Sequence, residues 1–322
     1  MMPATLPLVY FGKLPSRGDF VRSKSHLTEI KAIDDWVSQA VVNANSGLEN
    51  SHWLETNPII NFSHIDTLTK QIITGVMIPS QDSSQRHYPL IGFGVCYLDK
   101  PKAWMNYLPI KSLAPWDRVY QALTMARDQT DNIVAIKALS ECDMPLDSHA
   151  STHYYDFINT TTLERIAQLL SQSKAQLIQQ ITATGLLFLP TLAKGFNGLN
   201  KTLCWSLGSD KNSAVQLATF WHDLLHGFYR SHELCLNTYL FSSGKRYRMV
   251  LSFSAPNGQL LSQLPTLDNA LPDGWISMDD SNWTEGYIAD DIGLSRLQKL
   301  LQSEQLNLYD ARQLFKQIFL AQ

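Results

Sequence analysis

Residues 10–22 read YFGKLPSRGDFVR, and the order of the elements follows from how that stretch turns. The apolar run from Leu6 to Phe11 predicts a strand that stops at Gly12. Beyond it Pro15 stiffens the chain and Gly18 frees it, so the strand enters a loop. Lys13, Arg17 and Arg22 surround a single acid, Asp19. A glycine-containing loop with exposed cations can bind an anion. It can also fasten itself through an Arg17–Asp19 or Arg22–Asp19 pair, which is the plainer structural reading. The loop contains neither G-x-x-x-x-G-K-[ST] nor G-x-G-x-x-G, so it is not a known nucleotide cradle.

Outward from the loop, Leu27, Ile30, Ile33, Trp36, Val37, Ala40, Val41 and Ala44 recur at steps of three and four. That spacing predicts a helix with Glu29, Lys31, Asp34 and Asp35 on its outer side, ended by Asn45-Ser46-Gly47. Strands follow over 58–62, 72–78 and 90–98, with a Pro-Ser-Gln-Asp-Ser-Ser loop between the last two. A helix is predicted over 115–127. The first half is thus β, α, three β, α.

Polar and proline residues interrupt the pattern over 143–160, which reads as a linker. Thr161 and Glu164 then form a capping box before a long helix running past Ile181. A strand over 203–207, a helix over 214–229 and a hairpin follow. The hairpin pairs Leu234–Phe241 with Tyr247–Phe253 across Ser242-Ser243-Gly244-Lys245, with Tyr247, Met249, Leu251 and Phe253 on one face. A short strand at Trp275–Met278 and helices over 294–303 and 308–320 complete the chain.

The 322 residues are 44% hydrophobic and 17% charged, enough apolar material for a core and incompatible with wholesale disorder. Lys plus Arg number 26 against 29 for Asp plus Glu, a net charge of −3, and the two halves are equally balanced. Nucleic acid and anionic membranes are therefore poor partners. Cys96, Cys142, Cys204 and Cys235 are far apart, three of them among apolar neighbours, as free thiols of a reducing compartment are. The opening segment lacks a basic stretch followed by a long apolar run, and no apolar run approaches the ~20 residues that cross a bilayer. A cytoplasmic protein without membrane insertion is expected.

GKLPSRGDFVR resembles the opening motif of the TagF family, accessory proteins of bacterial type VI secretion. A second segment, GVMIPSQDSSQRHYPL at 75–90, resembles the family's strand running into Met-Pro-Ser, then Asp, Arg and an aromatic-Pro-Leu. Here these are Met77, Pro79, Ser80, Asp82, Arg86, Tyr88, Pro89 and Leu90, with Ile78 inserted after Met77. Trp36 and Trp53 lie where the family carries tryptophan and a following aromatic. Leu203-Cys204-Trp205-Ser206-Leu207-Gly208 is similar to its paired tryptophans before a glycine, with Cys204 a departure.

The resemblance implies a post-translational repressor that restrains assembly or firing of the apparatus and is linked to its forkhead-associated scaffold protein. It implies no enzymatic activity, catalytic residue, metal or cofactor. It singles out Gly12, Lys13, Pro15, Arg17, Gly18, Asp19, Phe20 and Arg22 in one loop, and Pro79, Asp82 and Arg86 in the other, as partner-binding or loop-fixing. Both loops follow strands and each carries Arg and Asp. They are expected side by side at one end of the sheet, exchanging charge-assisted hydrogen bonds. Some relatives carry a metal-dependent phosphatase domain, but the acidic pairs Asp279-Asp280 and Asp290-Asp291 read as solvated turns and helix N-terminal charge.

Two other classes compete. His222-Asp223-Leu224-Leu225-His226 places two histidines at i and i+4, as zinc ligands require, with Asp223 where metalloproteases carry a glutamate base and His232 as a third ligand. That is a zinc-hydrolase reading; packing of the same helix through Trp221, Leu224, Leu225 and Phe228 opposes it. A small-anion sensor would use the Lys13/Arg17/Arg22 loop. A serine hydrolase lacks Gly-x-Ser-x-Gly.

The architecture expected is α+β: an antiparallel or mixed sheet with packed helices in residues 1–142, similar to longin or profilin-like modules. Residues 161–322 follow the 143–160 linker as a C-terminal α+β domain, in which the 162–183 helix fills the seam and residues ~200–322 repeat the order β, α, βββ, α. They are expected to form a second α+β module, its sheet packed on the first through helices.

Overall fold

The structure is a computed structural model describing residues 5–45, 58–195, 201–229, 232–267 and 271–321. Ser46, Gly47 and Trp53 lie outside the described residues. In chain order the strands are β1 (Thr5–Pro7), β2 (Val9–Gly12), β3 (Val21–Arg22), β4 (Ile60–Asp66), β5 (Gln71–Ile78) and β6 (Leu90–Tyr97). Then come β7 (Asp143–Pro145), β8 (Thr202–Ser206), β9 (Cys235–Ser243), β10 (Arg246–Ser252) and β11 (Trp275–Ser277). Nine of them form one mixed sheet in the order β11-β8-β10-β9-β4-β5-β6-β2-β3. Every neighbouring pair is antiparallel except β11 beside β8.

The layering follows from the strands. Ile72 to Ile78 in β5 and Leu90 to Cys96 in β6 are buried without a break, which requires cover on both faces. Helices Leu108–Asp128, Lys174–Phe188, Lys211–His226 and Leu308–Phe319 contribute to the core on one face. Leu27–Asn45 and Gly258–Gln263 build the core on the other. The hairpin alternates as its sequence requires: Met249 and Leu251 enter the first core, Val250 the second. Gly258 lets the two helices of the thinner layer cross closely, because a Cβ there would lie 2.8 Å from the Ala40 nitrogen.

The sheet overturns the expected division at 143–160. β9 pairs along the whole of β4, from Ile60 opposite Phe241 to Asp66 opposite Cys235. The second-half hairpin therefore joins the first-half sheet, and among the described residues the second half forms no sheet of its own. The cause is burial: Ile60, Phe62 and Ile65 of β4 are covered on both faces, and such a strand left as an edge would strand buried backbone donors and acceptors. The 143–160 segment is not a linker either. Met144 pairs opposite Leu6 in a β1–β7 ribbon, and Tyr154 and Ile158 of helix Ala150–Thr160 are fully buried.

Other boundaries shift for local reasons. The helix expected from Pro115 begins at Leu108 with a proline in its first turn, and Pro115 lies inside it. The long helix after 161 is two helices, Leu163–Leu170 and Lys174–Phe188. Between them Ser171 adopts a left-handed conformation, φ 55°. The N-cap of the first is Thr162 rather than Thr161, and a reciprocal capping box forms at Ser173 and Gln176. Helix Thr284–Asp290 had no expected counterpart.

Candidate functional site

The two motif loops meet at the β2/β6 end of the sheet. Gly12 ends β2 at φ 138°, and a Cβ there would lie 2.2 Å from the Pro89 carbonyl oxygen. Both facts require glycine, and they let the first loop cross directly over the start of β6. Leu14, next in the loop, is fully buried.

Beneath the crossing lies a buried carboxylate. Asp82 Oδ2 is 2.9 Å from Lys13 Nζ and accepts from Arg86 Nε at 2.8 Å. Its Oδ1 accepts from the backbone nitrogens of Ser84 and Arg86, at 2.9 and 3.0 Å. Burial alone would raise this carboxyl. The Arg86 amide, the Lys13 ammonium, the Ser84 amide and the Arg86 guanidinium outweigh it and hold Asp82 well below the usual carboxylate range.

The loops are also stitched by backbone. Arg86 Nη2 donates to the Gly18 carbonyl at 2.8 Å, Ser80 Oγ to the Lys13 carbonyl at 2.7 Å, and Ser83 N to the Arg17 carbonyl at 2.9 Å. Pro15 and Pro79 flank a shallow depression beside Arg127, whose guanidinium reaches the Pro79 carbonyl.

The expected Arg17–Asp19 or Arg22–Asp19 pair is not formed among the described residues. Asp19 Oδ1 instead accepts the Phe20 amide at 2.7 Å, and the ion pairing is done by Asp82. The first loop thus divides into Gly12, Lys13 and Leu14, which anchor it, and Arg17, Gly18, Asp19, Phe20 and Arg22, which are exposed. Lys13 is buried against Asp82 and leaves the cation set of the anion-sensor reading.

Phe20 is held without being buried. Its ring stacks on Phe11 with centroids 5.2 Å apart, meets Tyr88 edge-on at 4.9 Å, and has Lys13 Nζ 5.2 Å from its centre. Tyr88 in turn donates to Asp34 Oδ1 at 2.8 Å, which ties the second loop to helix Leu27–Asn45. Burial, with Asp34 close by, drives the Tyr88 phenol far above its ordinary range. Asp34 and Tyr88 carried no signal as a pair, since only the fold brings them together.

The zinc reading fails on the geometry of His222. Its ring is fully buried, Nδ1 donates to the Met105 carbonyl at 3.1 Å, and Nε2 takes the Thr238 hydroxyl at 3.2 Å. Burial lowers its pKa to about 4, and neither nitrogen is left for a metal. Asp223 is no base for water. It receives the Tyr154 hydroxyl at 2.9 Å and Arg312 Nη2 at 3.1 Å, with Lys316 Nζ 3.7 Å away. Asp279 accepts from the amide and hydroxyl of Ser206, and Asp291 caps helix Ile292–Leu301. No group of three or more metal-binding side chains occurs among the described residues. Trp36 and Trp205 are core residues, and burial pushes the Cys204 thiol up to about 11. No helix among the described residues is long and apolar enough to cross a membrane.

Around the exposed half of the loop runs an open cleft of ≈ 1030 Å³. It is lined by Arg17, Asp19 and Phe20 from the loop, Arg22 from β3, Lys24 just after it, Asp34 from helix Leu27–Asn45, and Ile136 and Ser140 from helix Asn132–Ser140. These two helices lie on opposite faces of the sheet, so the cleft wraps the β3 edge.

Residues 9–142 match the family model of the TagF N-terminal domain, type VI secretion system-associated. No curated protein matches the chain. Among solved structures it is similar to the crystal structure of PA0076 from Pseudomonas aeruginosa PAO1. The identity is 23%, over 42% of this chain and 78% of that one, with a TM-score of 0.26.

Proposed function

Because residues 9–142 belong to the TagF N-terminal domain family, associated with type VI secretion, we propose that the chain is a post-translational repressor of that apparatus. It acts in the cytoplasm, without catalysis, by binding a protein component, the forkhead-associated scaffold being the first choice. The observation that carries this reading is the division of the matched loop. Asp82, Lys13 and Gly12 fix its base, and Arg17, Asp19, Phe20 and Arg22 are displayed outward on that base. A rigid display of mixed charge and an aromatic ring suits recognition of a protein surface, since little ordering remains to be done on binding.

Overproduction of the chain should reduce type VI secretion, and its deletion should raise basal secretion or leave it unchanged. Loss of secretion on deletion would make the protein an obligatory component and end the repressor reading. Purified scaffold protein should bind the wild-type chain and bind an Arg17→Glu/Arg22→Glu variant much more weakly.

A further inference from the structure

The cleft at the β3 edge carries three cations against two carboxylates. Arg17, Arg22 and Lys24 line it, and none of the three makes an ion pair among the described residues. Its two carboxylates already serve the protein: Asp19 accepts the Phe20 amide, and Asp34 accepts the hydroxyls of Tyr88 and Ser38 at 2.8 and 3.1 Å. With three cations against these two carboxylates, the lining keeps a small net positive charge in a chain of net charge −3. It is also partly apolar, with Phe20 37% exposed on one wall and Ile136 on the other. β3 is the last strand of the sheet, so among the described residues no strand lies on the side of its backbone away from β2.

Resting on the family reading above, we infer that this cleft receives an extended acidic segment of a partner protein. The segment's carboxylates face Arg17, Arg22 and Lys24, and its apolar side chains lie against Phe20 and Ile136. Charge complementarity selects the occupant: three unpaired cations attract an acidic chain, and the aromatic and aliphatic walls favour a peptide over a polyphosphate backbone. The base of the cleft is preorganised by the Asp82 clasp, so binding orders the segment and not the receptor.

The test places a photo-crosslinking benzoylphenylalanine in the full chain at Ile136, with Leu68, exposed at the far end of β4, as the control position. Crosslinking is done in cells running the secretion system, and the captured peptides are sequenced by mass spectrometry. The expected result is a segment richer in Asp and Glu than in Lys and Arg, captured from Ile136 and not from Leu68. Arg17→Glu/Arg22→Glu should lower its yield about tenfold with melting unchanged. A neutral or basic peptide, a nucleic acid, a yield insensitive to charge reversal, or no capture specific to Ile136 would each overturn the inference. An acidic segment from a protein outside the secretion apparatus would uphold the cleft's chemistry while refuting the proposed function.

Discussion

Two buried aspartates hold this molecule together in different ways. Asp82 gathers its donors from nearby: Arg86 is four residues away, two of the four donor groups are backbone amides of the same turn, and only Lys13 is remote. Asp223 gathers Tyr154, Arg312 and Lys316 from two other helices, 69 and 89 residues away for the first two. The first cluster positions a surface loop, and Arg86 remains largely in water. The second pins helix Lys211–His226 to helices Ala150–Thr160 and Leu308–Phe319, deep in the larger core. One is a local device with an outward purpose, the other a global rivet.

The contrast is broken most severely at Asp223. Asp223→Ala leaves two cations facing a desolvated gap, and removing one partner of such a buried cluster costs about 3–5 kcal/mol. Chemical denaturation should read that loss. Adding Arg312→Leu and Lys316→Met should recover most of it, because the penalty lies in the unpaired charges.

Acid separates the two ends next. His222, beside Asp223, is held neutral with its pKa lowered from 6.5 to about 4. Its folded pKa is depressed, so the unfolded chain binds more protons between those values. The stability it protects is present above pH 6.5 and is lost as pH falls toward 4, about 3 kcal/mol in all. Asp82 is depressed as well, so its contribution persists down to the ordinary carboxylate range near pH 4 and is lost only below it. Melting curves of wild type and His222→Gln between pH 7 and 4 should converge in slope only outside that window. Identical pH dependence would show that His222 does not titrate as its burial demands.

Asp82→Asn should lower the melting temperature less than Asp223→Ala does, because the half-exposed Arg86 can rehydrate. It should speed hydrogen exchange at the Ser83 amide, whose bond to Arg17 joins the loops, and should weaken repression. The smallest effect on folding belongs to Arg17→Ala. With its side chain exposed and unpaired, the change should stay within about 0.5 kcal/mol while still reducing repression. A large melting loss there would mean that the exposed half of the loop is structural after all.

The same contrast explains what could be read in advance. The Asp82 loop sits in a contiguous segment, and its Arg, Asp, Gly and Pro stand at fixed offsets, so proximity to the first loop was legible. β5, β6 and the β9–β10 hairpin were legible too, because their alternation or continuous burial is a local pattern. The choice of Asp82 over Asp19 as the paired acid was not, since it depends on which carboxylate the crossing at Gly12 buries. The β4–β9 pairing was equally silent: the apolar pattern of a strand shows which of its faces are covered and says nothing of which strand lies beside it. Asp223 misled, because its histidine neighbours mimic a metal motif while its true partners are distant in the chain. The break at Ser171 escaped because a serine in a left-handed conformation leaves no mark that a glycine would.

The β4–β9 seam also has a consequence for synthesis. The family-matched segment is translated well before the strand that completes its sheet, which begins at Cys235. At 5–20 residues per second, the ribosome needs roughly 10–30 s to travel from β4 to β9. Throughout that interval the nascent chain presents a strand carrying Ile60, Phe62 and Ile65 with one unmated edge, the kind of surface that chaperones cover and that neighbouring chains on a polysome can capture. The nascent polypeptide therefore depends on a later part of itself to become safe, and supply of this protein is tied to translation through β9.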